Sequence, residues 1–404
     1  MNATSGKGEA AIETAAKADA DLEVSVVLPC LNEAETVGTC VTAALETMHR
    51  LGLRGEVVVV DNGSEDGSPE IARAAGARVV LEPRRGYGNA LRRGAEEARG
   101  ELLVMADADD SYDLSELGRF VDELRAGADL VMGSRVLGRI EAGAMPWLNR
   151  RIGNPLLSGI LNLFFKGRVS DAHCGMRALT RQAYRRMKAS APGMEFASEM
   201  VIKASLANMR IVDIPVTLRR DGRAAHGPHL RPLRDGWRHL RFMLLHSPTW
   251  LFLIPGAVLM LLGLVPLIAL GWGPVRIGVL TFDYHYMLVG SLLSILGFQV
   301  VMTGLFAKAY THGAGLYAAD PLIESMQRHF NLERGIAVGA LLFAAGFVLD
   351  LRILVRWLQS GMGALNAIRP ATQASTLMII GAQTIFSSFF LSLLWLVRPP
   401  SDER

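Results

Sequence analysis

The sequence predicts an α/β domain built on a doubly wound, mostly parallel sheet, followed by an all-α membrane region of about four helices. Three observations predict it. Short apolar runs alternate with helix-spaced segments from about residue 24 to 218, and polar residues gather where those runs end. Past residue 249 the apolar runs lengthen enough to cross a bilayer. A chain of 404 residues is also too long for one ordinary domain.

Residues 1–22 are rich in Ala, Glu and Lys and hold no apolar core. They are expected to form a disordered tail rather than a cleavable secretion signal. Val24-Ser25-Val26-Val27-Leu28 is a short buried strand ended by Pro29, and residues 34–49 have helical spacing. Val57-Val58-Val59-Val60 is the next strand, followed by Asp61-Asn62-Gly63-Ser64 and a helix over about 68–75. Further strands fall at Arg78-Val79-Val80-Leu81, at 102–106 and at Asp129-Leu130-Val131-Met132, with helices between. Strand and helix alternating through short links mean parallel strands with right-handed crossovers. The expected catalytic domain is 23–232, and an amphipathic juxtamembrane helix is expected over 233–248. There Trp237, Leu240, Phe242, Met243 and Leu244 interleave with Arg234, Arg238 and Arg241. The stretch 147–165, with Arg150 and Arg151 near its start, is either a second interfacial helix or a buried helix of the soluble domain.

The membrane domain is expected over 249–404, with spans at about 250–272, 287–307, 336–357 and 377–397. The third carries Asp350, Arg352 and Arg356 in its second half, so a buried core helix is the alternative there. Pro255 and Pro266 are expected to kink the first span without excluding it. Lys308, Arg328 and Arg334 lie between spans two and three, against Arg276 alone between one and two. That bias places both chain ends in the cytosol. Cys30, Cys40 and Cys174 are scattered without metal-site spacing and suit a reducing compartment.

The most informative stretch is Leu102-Leu103-Val104-Met105-Ala106-Asp107-Ala108-Asp109-Asp110, an apolar run ending in two carboxylates one residue apart. Strands of a parallel sheet deliver their chemistry at the carboxyl edge, so Asp107 and Asp109 are expected in the ligand crevice. Mg²⁺ or Mn²⁺ takes one or two such ligands and completes its shell with water and phosphate. An Asp-rich turn is the other reading. Arg84-Arg85-Gly86-Tyr87-Gly88-Asn89-Ala90 fails as a dinucleotide fingerprint because Leu91 stands at the third glycine position. It suits either a phosphate-approaching loop or a solvated basic turn.

Pro29-Cys30-Leu31-Asn32-Glu33, the strand into Asp61-Asn62-Gly63-Ser64, Arg85-Gly86-Tyr87-Gly88-Asn89-Ala90, Asp107-Ala108-Asp109, Gly133-Ser134-Arg135 and Cys174-Gly175-Met176-Arg177 occur in one order. As an ordered set over about 23–245 they resemble glycosyltransferase family 2. More narrowly, they resemble its polyprenyl-phosphate glycosyltransferases, the group of dolichol-phosphate mannose synthase and its bacterial glucosyl relatives. The resemblance implies a GT-A-type fold. It implies that Pro29, Leu31, Glu33 and Asp61 contact the nucleotide, together with Arg85, Gly86, Asn89 and Ala108 of the later motifs. Asp107 and Asp109 would hold diphosphate and metal, with Arg135 near the metal and the acceptor phosphate. Arg177 and Glu199 would line the acceptor and sugar side, and Arg219 and Arg223 would close over phosphates. Apart from the resemblance, His229 could reach phosphate from its loop. One departure stands out: Ser111 occupies the place of a glutamine two residues after the second aspartate, leaving Asp110, Ser111 or water as a third ligand.

The expected activity is inverting transfer of a single sugar from a nucleotide-diphospho-sugar, of UDP-glucose or GDP-mannose type, to polyprenyl phosphate at the cytosolic leaflet of the cytoplasmic membrane. Membrane lipids are expected partners, nucleic acid is not, and a homo-oligomer stays open. A lipid monophosphate is already anionic, so no single carboxylate should be an indispensable base. A processive polysaccharide synthase is a rival, but its Gln-x-x-Arg-Trp motif is absent: Arg356-Trp357 lacks the glutamine. A non-catalytic scaffold or flippase partner with a degenerate nucleotide domain is the other, against which the intact Asp-Ala-Asp argues.

Overall fold

A computed structural model describes residues 22–223, 232–313 and 321–396. The tail expected over 1–22 lies almost wholly outside these residues, and His229 lies outside them too. The chain divides into two compact units that meet at Met243 and Leu244, inside the segment expected to be the juxtamembrane helix.

The first unit is built on a seven-stranded sheet. In chain order it runs β1 (Val24–Cys30), α1 (Val37–Arg50), β2 (Gly55–Asp61), α2 (Ser68–Ala74), β3 (Arg78–Leu81), α3 (Tyr87–Glu97), β4 (Leu102–Met105), α4 (Leu117–Arg125) and β5 (Leu130–Ile140). It continues with α5 (Asn154–Phe165), β6 (Arg177–Thr180), α6 (Arg181–Met187), α7 (Phe196–Leu206), β7 (Ile211–Leu218) and α8 (Pro232–Leu245). The strand order is β3-β2-β1-β4-β6-β5-β7. Alternation along each strand sends residues to opposite faces. Val26, Val57 and Val104 pack under α1 and α4, while Val27, Val58 and Leu103 pack under α3 and α7. Both faces are therefore covered, as a parallel sheet requires.

Two strands went unread in the sequence. β6 is only four residues long and opens on an arginine. β7 carries Asp213 and Pro215, the proline being tolerated because β7 is an edge strand. β6 runs antiparallel to both β4 and β5, so its first residue, Arg177, stands opposite Met105 at the end of β4 and Met132 within β5. In the parallel half, Cys30 pairs with Asp61 and Asp61 with Leu81, which aligns the carboxyl ends of β1, β2 and β3.

In the stretch 147–165 one face is buried in the soluble unit, as the second of its two readings expects, and the other carries exposed apolar side chains. Leu161 and Phe165 are buried in the core of this unit, whereas Trp147, Leu156 and Leu163 are exposed, Trp147 by 68%.

Among the described residues of the second unit, four helices are long and apolar enough to cross a membrane. They are Thr249–Ala269, whose regular part is α9 (Ile254–Ala269), α10 (Tyr284–Gly313), α12 (Leu332–Gln359) and α13 (Ile368–Leu396). A hairpin of β8 (Val275–Ile277) and β9 (Leu280–Phe282) links α9 to α10, and the short α11 (Pro321–His329) precedes α12. Glycines let these helices approach closely. A Cβ at Gly263 would strike Ser294 and the Gly290 carbonyl, and one at Gly339 would strike the Gly381 carbonyl. Only 11% of the apolar window of α12 is buried, which removes the buried-core reading of the third span.

Candidate active site

A cavity of about 580 Å³ opens at the carboxyl edge of the first unit's sheet. The ends of β1, β2 and β4 reach it: Pro29, Cys30, Leu31 and Glu33 from the first, Asn62 from the second, and Asp107, Ala108 and Asp109 from the third. The Asp-Ala-Asp sequence is thus a cavity wall and not merely a turn.

Asp107 lies deep. Its Oδ1 accepts from the Tyr87 hydroxyl at 2.8 Å. Burial, and then the charge of Asp109, push the Asp107 carboxyl above the usual carboxylate range, while Tyr87, Arg177 and Arg135 pull it back. Gly175 explains the closeness of the Cys-Gly-Met-Arg segment, because a Cβ there would collide with the Asp107 carboxyl group. Asp109 is nearer the surface. Its Oδ1 accepts from the Ser111 N–H at 3.1 Å, and its Oδ2 lies 3.2 Å from Nη2 of Arg223. Arg223 also pairs with Glu33 at 2.9 Å and with Asp221. Burial first, countered by Arg223, raises the Glu33 carboxyl to about 7. Burial likewise pushes the Cys30 thiol up to about 12, so that thiol stays protonated and unreactive.

The basic loop is held by a residue that the sequence reading passed over. Asn62 donates to the carbonyls of Glu82 at 2.7 Å and Arg84 at 2.9 Å, and accepts from the Gly86 N–H at 2.7 Å. This fixes Arg85 and Gly86 at the cavity. Gly86 has φ +142°, and a Cβ on it would strike the Pro192 carbonyl. Asn89 donates its backbone N–H to that carbonyl at 3.2 Å, and its side-chain Nδ2 donates to the Arg85 carbonyl at 3.2 Å rather than lining the cavity. Asp61 also turns inward, its carboxylate accepting from the N–H groups of Gly63 at 3.3 Å and Ser64 at 3.1 Å.

The residues expected on the acceptor side are mostly engaged with protein. Arg135 forms a fork with Asp171, at 2.6 and 2.8 Å. Arg177 is 0% exposed and donates to the carbonyls of Ala197 and Cys174, with Nε left without a partner. Its positive charge acts on Asp107 and lowers that carboxyl against the effect of burial. Glu199 accepts from the N–H groups of Ser190 at 2.8 Å and Ala191 at 2.7 Å and pairs with Lys203, so it holds the cavity wall of Pro192, Gly193 and Met194 rather than lining it. Arg219 pairs with Asp113. From α8, Arg234, Asp235 and Arg238 reach the cavity. That helix is pinned by His239, whose Nδ1 lies 2.8 Å from the Ser198 hydroxyl, itself 3.2 Å from His173 Nε2. Burial drives the His239 imidazole down to about 4 and holds His173 well below its usual value.

Among the described residues no three His, Cys, Asp or Glu side chains gather as a metal cage. A hard divalent cation of the kind that binds phosphate needs only one or two protein carboxylates, so Asp107 and Asp109 still suit it. The guanidinium seated on Asp109 marks the same place as attractive to a cation.

Residues 25–188 match the family model described as glycosyl transferase family 2, and residues 305–395 match its C-terminal transmembrane region. The low-salt glycan biosynthesis hexosyltransferase Agl6 of Haloferax volcanii is 39% identical over 384 residues, covering 93% of this chain and 91% of that protein. A dolichyl-phosphate hexose transferase of the same organism is 32% identical over 198 residues, covering 49% of this chain and 83% of that one. Among solved structures, glucosyl-3-phosphoglycerate synthase from Mycobacterium tuberculosis superposes on 57% of this chain and 81% of its own, at 24% identity and a TM-score of 0.45.

Proposed function

The chain belongs to glycosyltransferase family 2, as an integral membrane enzyme with a GT-A-type domain, and we propose that it moves one hexose from a nucleotide-diphospho-sugar to polyprenyl phosphate. The transfer takes place at the cytosolic face of the cytoplasmic membrane. The observation that carries this reading is the position of Asp107 and Asp109 at the end of β4, in one cavity with Arg85 and Arg223. The name of the H. volcanii dolichyl-phosphate hexose transferase supports a polyprenyl-phosphate acceptor.

The chemistry follows from charge. An acceptor phosphate oxygen forms a bond to the anomeric carbon as the bond from that carbon to the donor diphosphate breaks. The bonding pair leaves with the diphosphate, and the configuration inverts. Asp107 and Asp109 would hold Mg²⁺ or Mn²⁺, which when bound supplies neutralisation of the charge gathering on the leaving group. Arg85 and Arg223 add positive charge from the protein itself. Arg177 keeps the Asp107 carboxyl more acidic than its burial alone would allow. The acceptor arrives already ionised, so the residues position it and need not remove a proton.

The test uses the full chain purified into lipid nanodiscs, given polyprenyl phosphate and a panel of nucleotide sugars with and without EDTA. A lipid-linked monosaccharide that forms with one donor and disappears with EDTA, identified by mass, is the expected result. No product with any donor contradicts the reading, and a polymer would favour a processive synthase.

A further inference from the structure

Arg223 stands where a metal ion would have to compete with it. Its side chain is only 7% exposed and is gripped by carboxylates on three sides. Nη1 lies 2.9 Å from Glu33 Oε1, Nη2 lies 3.2 Å from Asp109 Oδ2, and Nε donates to Asp221 Oδ1 at 2.8 Å. The backbone carries the same contact. Gly222 donates its N–H to the Asp109 carbonyl at 3.0 Å, and Arg219 donates its N–H to that of Ser111 at 2.8 Å. The segment 219–223 is therefore laid along the Asp-Ala-Asp turn.

A divalent cation bound to Asp109 needs a carboxylate oxygen at about 2.1 Å, and the guanidinium already occupies lone pairs of that carboxylate. Two cations on one carboxylate repel, and a guanidinium keeps its charge at every accessible pH. A nucleoside diphosphate changes the balance, because it brings negative oxygens in the spacing that an arginine fork matches.

We propose that Arg223 is a resident cation that closes the metal site in the substrate-free enzyme and exchanges onto the phosphates when metal and nucleotide arrive together. The inference rests on the reading of the cavity as a nucleotide-diphosphate site. It makes metal and nucleotide bind cooperatively. Metal alone must take Asp109 from an arginine that Glu33 and Asp221 still hold beside it, so two cations crowd one site, whereas metal with diphosphate gives the arginine a new partner. Glu33 and Asp221 become positioning residues, since they set how firmly the arginine is held.

The test measures Mn²⁺ binding by the full chain in nanodiscs, by the electron paramagnetic resonance signal of free Mn²⁺, with and without UDP. For the wild type, UDP should tighten Mn²⁺ binding. Arg223→Ala should bind Mn²⁺ alone roughly tenfold more tightly than wild type and lose most of the gain from UDP. Asp221→Asn keeps the arginine but loosens it, so it should bind Mn²⁺ alone more tightly while retaining the gain from UDP. If neither variant binds Mn²⁺ alone more tightly than wild type, the exchange is refuted. The wild-type lipid-product assay judges the catalytic reading separately. Product without any change in the variants' Mn²⁺ affinity removes only the role of Arg223, whereas tighter Mn²⁺ binding without product upholds the exchange and removes the catalytic reading.

Discussion

The two halves of the catalytic sheet treat charge in opposite ways. In the parallel half, the segments that follow β1 and β4 hand Glu33, Asp107 and Asp109 to an open cavity. In the half built from β5, β6 and β7, with the helix α7 that covers it, three of the expected site residues are instead tied up in the protein. Arg135 is locked to Asp171, Arg177 to carbonyls, and Glu199 to backbone amides and Lys203. The difference teaches that one half presents the chemistry and the other holds it in place. A family motif can therefore mark a residue that acts only through its neighbours.

The largest effect that separates the halves should come from Asp109→Asn. Turnover should fall by about 10²–10³-fold, with little change in unfolding temperature. No other acidic substitution outside the metal pair should cost as much turnover, and a steady-state assay beside a melting curve reads both quantities. Arg177→Met should reverse the pattern. It leaves the buried carbonyls of Ala197 and Cys174 without their donor, so stability should fall by about 2 kcal/mol, measured by denaturant unfolding.

A pH series sharpens the contrast further, because the two halves respond with opposite signs. His239 is driven down to about 4 from 6.5, so the unfolded chain takes up the proton first. Its contribution to stability is lost as pH falls from 6.5 through about 4. Glu33 is pushed up to about 7 from 4.5, so the folded state holds the extra proton. Its contribution is fully present below 4.5 and is lost as pH rises through about 7. Hydrogen exchange between pH 7 and pH 5 should therefore show α8 loosening while the β1 edge becomes better protected. Equal loosening of both would contradict the assignment. The smallest effect belongs to Glu199→Gln, which weakens the grip on Ser190 and Ala191. It should lower stability by about 1 kcal/mol and raise the KM for the donor more than it lowers kcat.

The same contrast explains what could be read in the sequence. The parallel half was legible because each strand is a short apolar run with polar residues just beyond it, as in Val57-Val58-Val59-Val60 before Asp61. The four long apolar helices among the described residues of the second unit were legible for the same reason of uninterrupted apolar length. β6 and β7 were not, since one is four residues opening on Arg177 and the other carries Asp213 and Pro215 within it. At the site, the positions of Asp107 and Asp109 were visible. The inward turn of Asp61 was not, because its partners Gly63 and Ser64 capture it only once the turn folds. Asn62 stands beside Asp61 at the same strand end, and an amide there is well suited to bridging two loops, so its role was within reach. The pairing of Arg135 with Asp171, and of Arg223 with Glu33 across 190 residues, has no local signature at all.

The most direct measurement is an experimental structure of the full chain with Mn²⁺ and UDP. The account predicts Mn²⁺ between the Asp107–Asp109 pair and the diphosphate, with Arg223 released from Asp109 and turned onto phosphate oxygens. Nucleotide bound away from the end of β4, or Arg223 still seated on Asp109 beside a bound diphosphate, would contradict it.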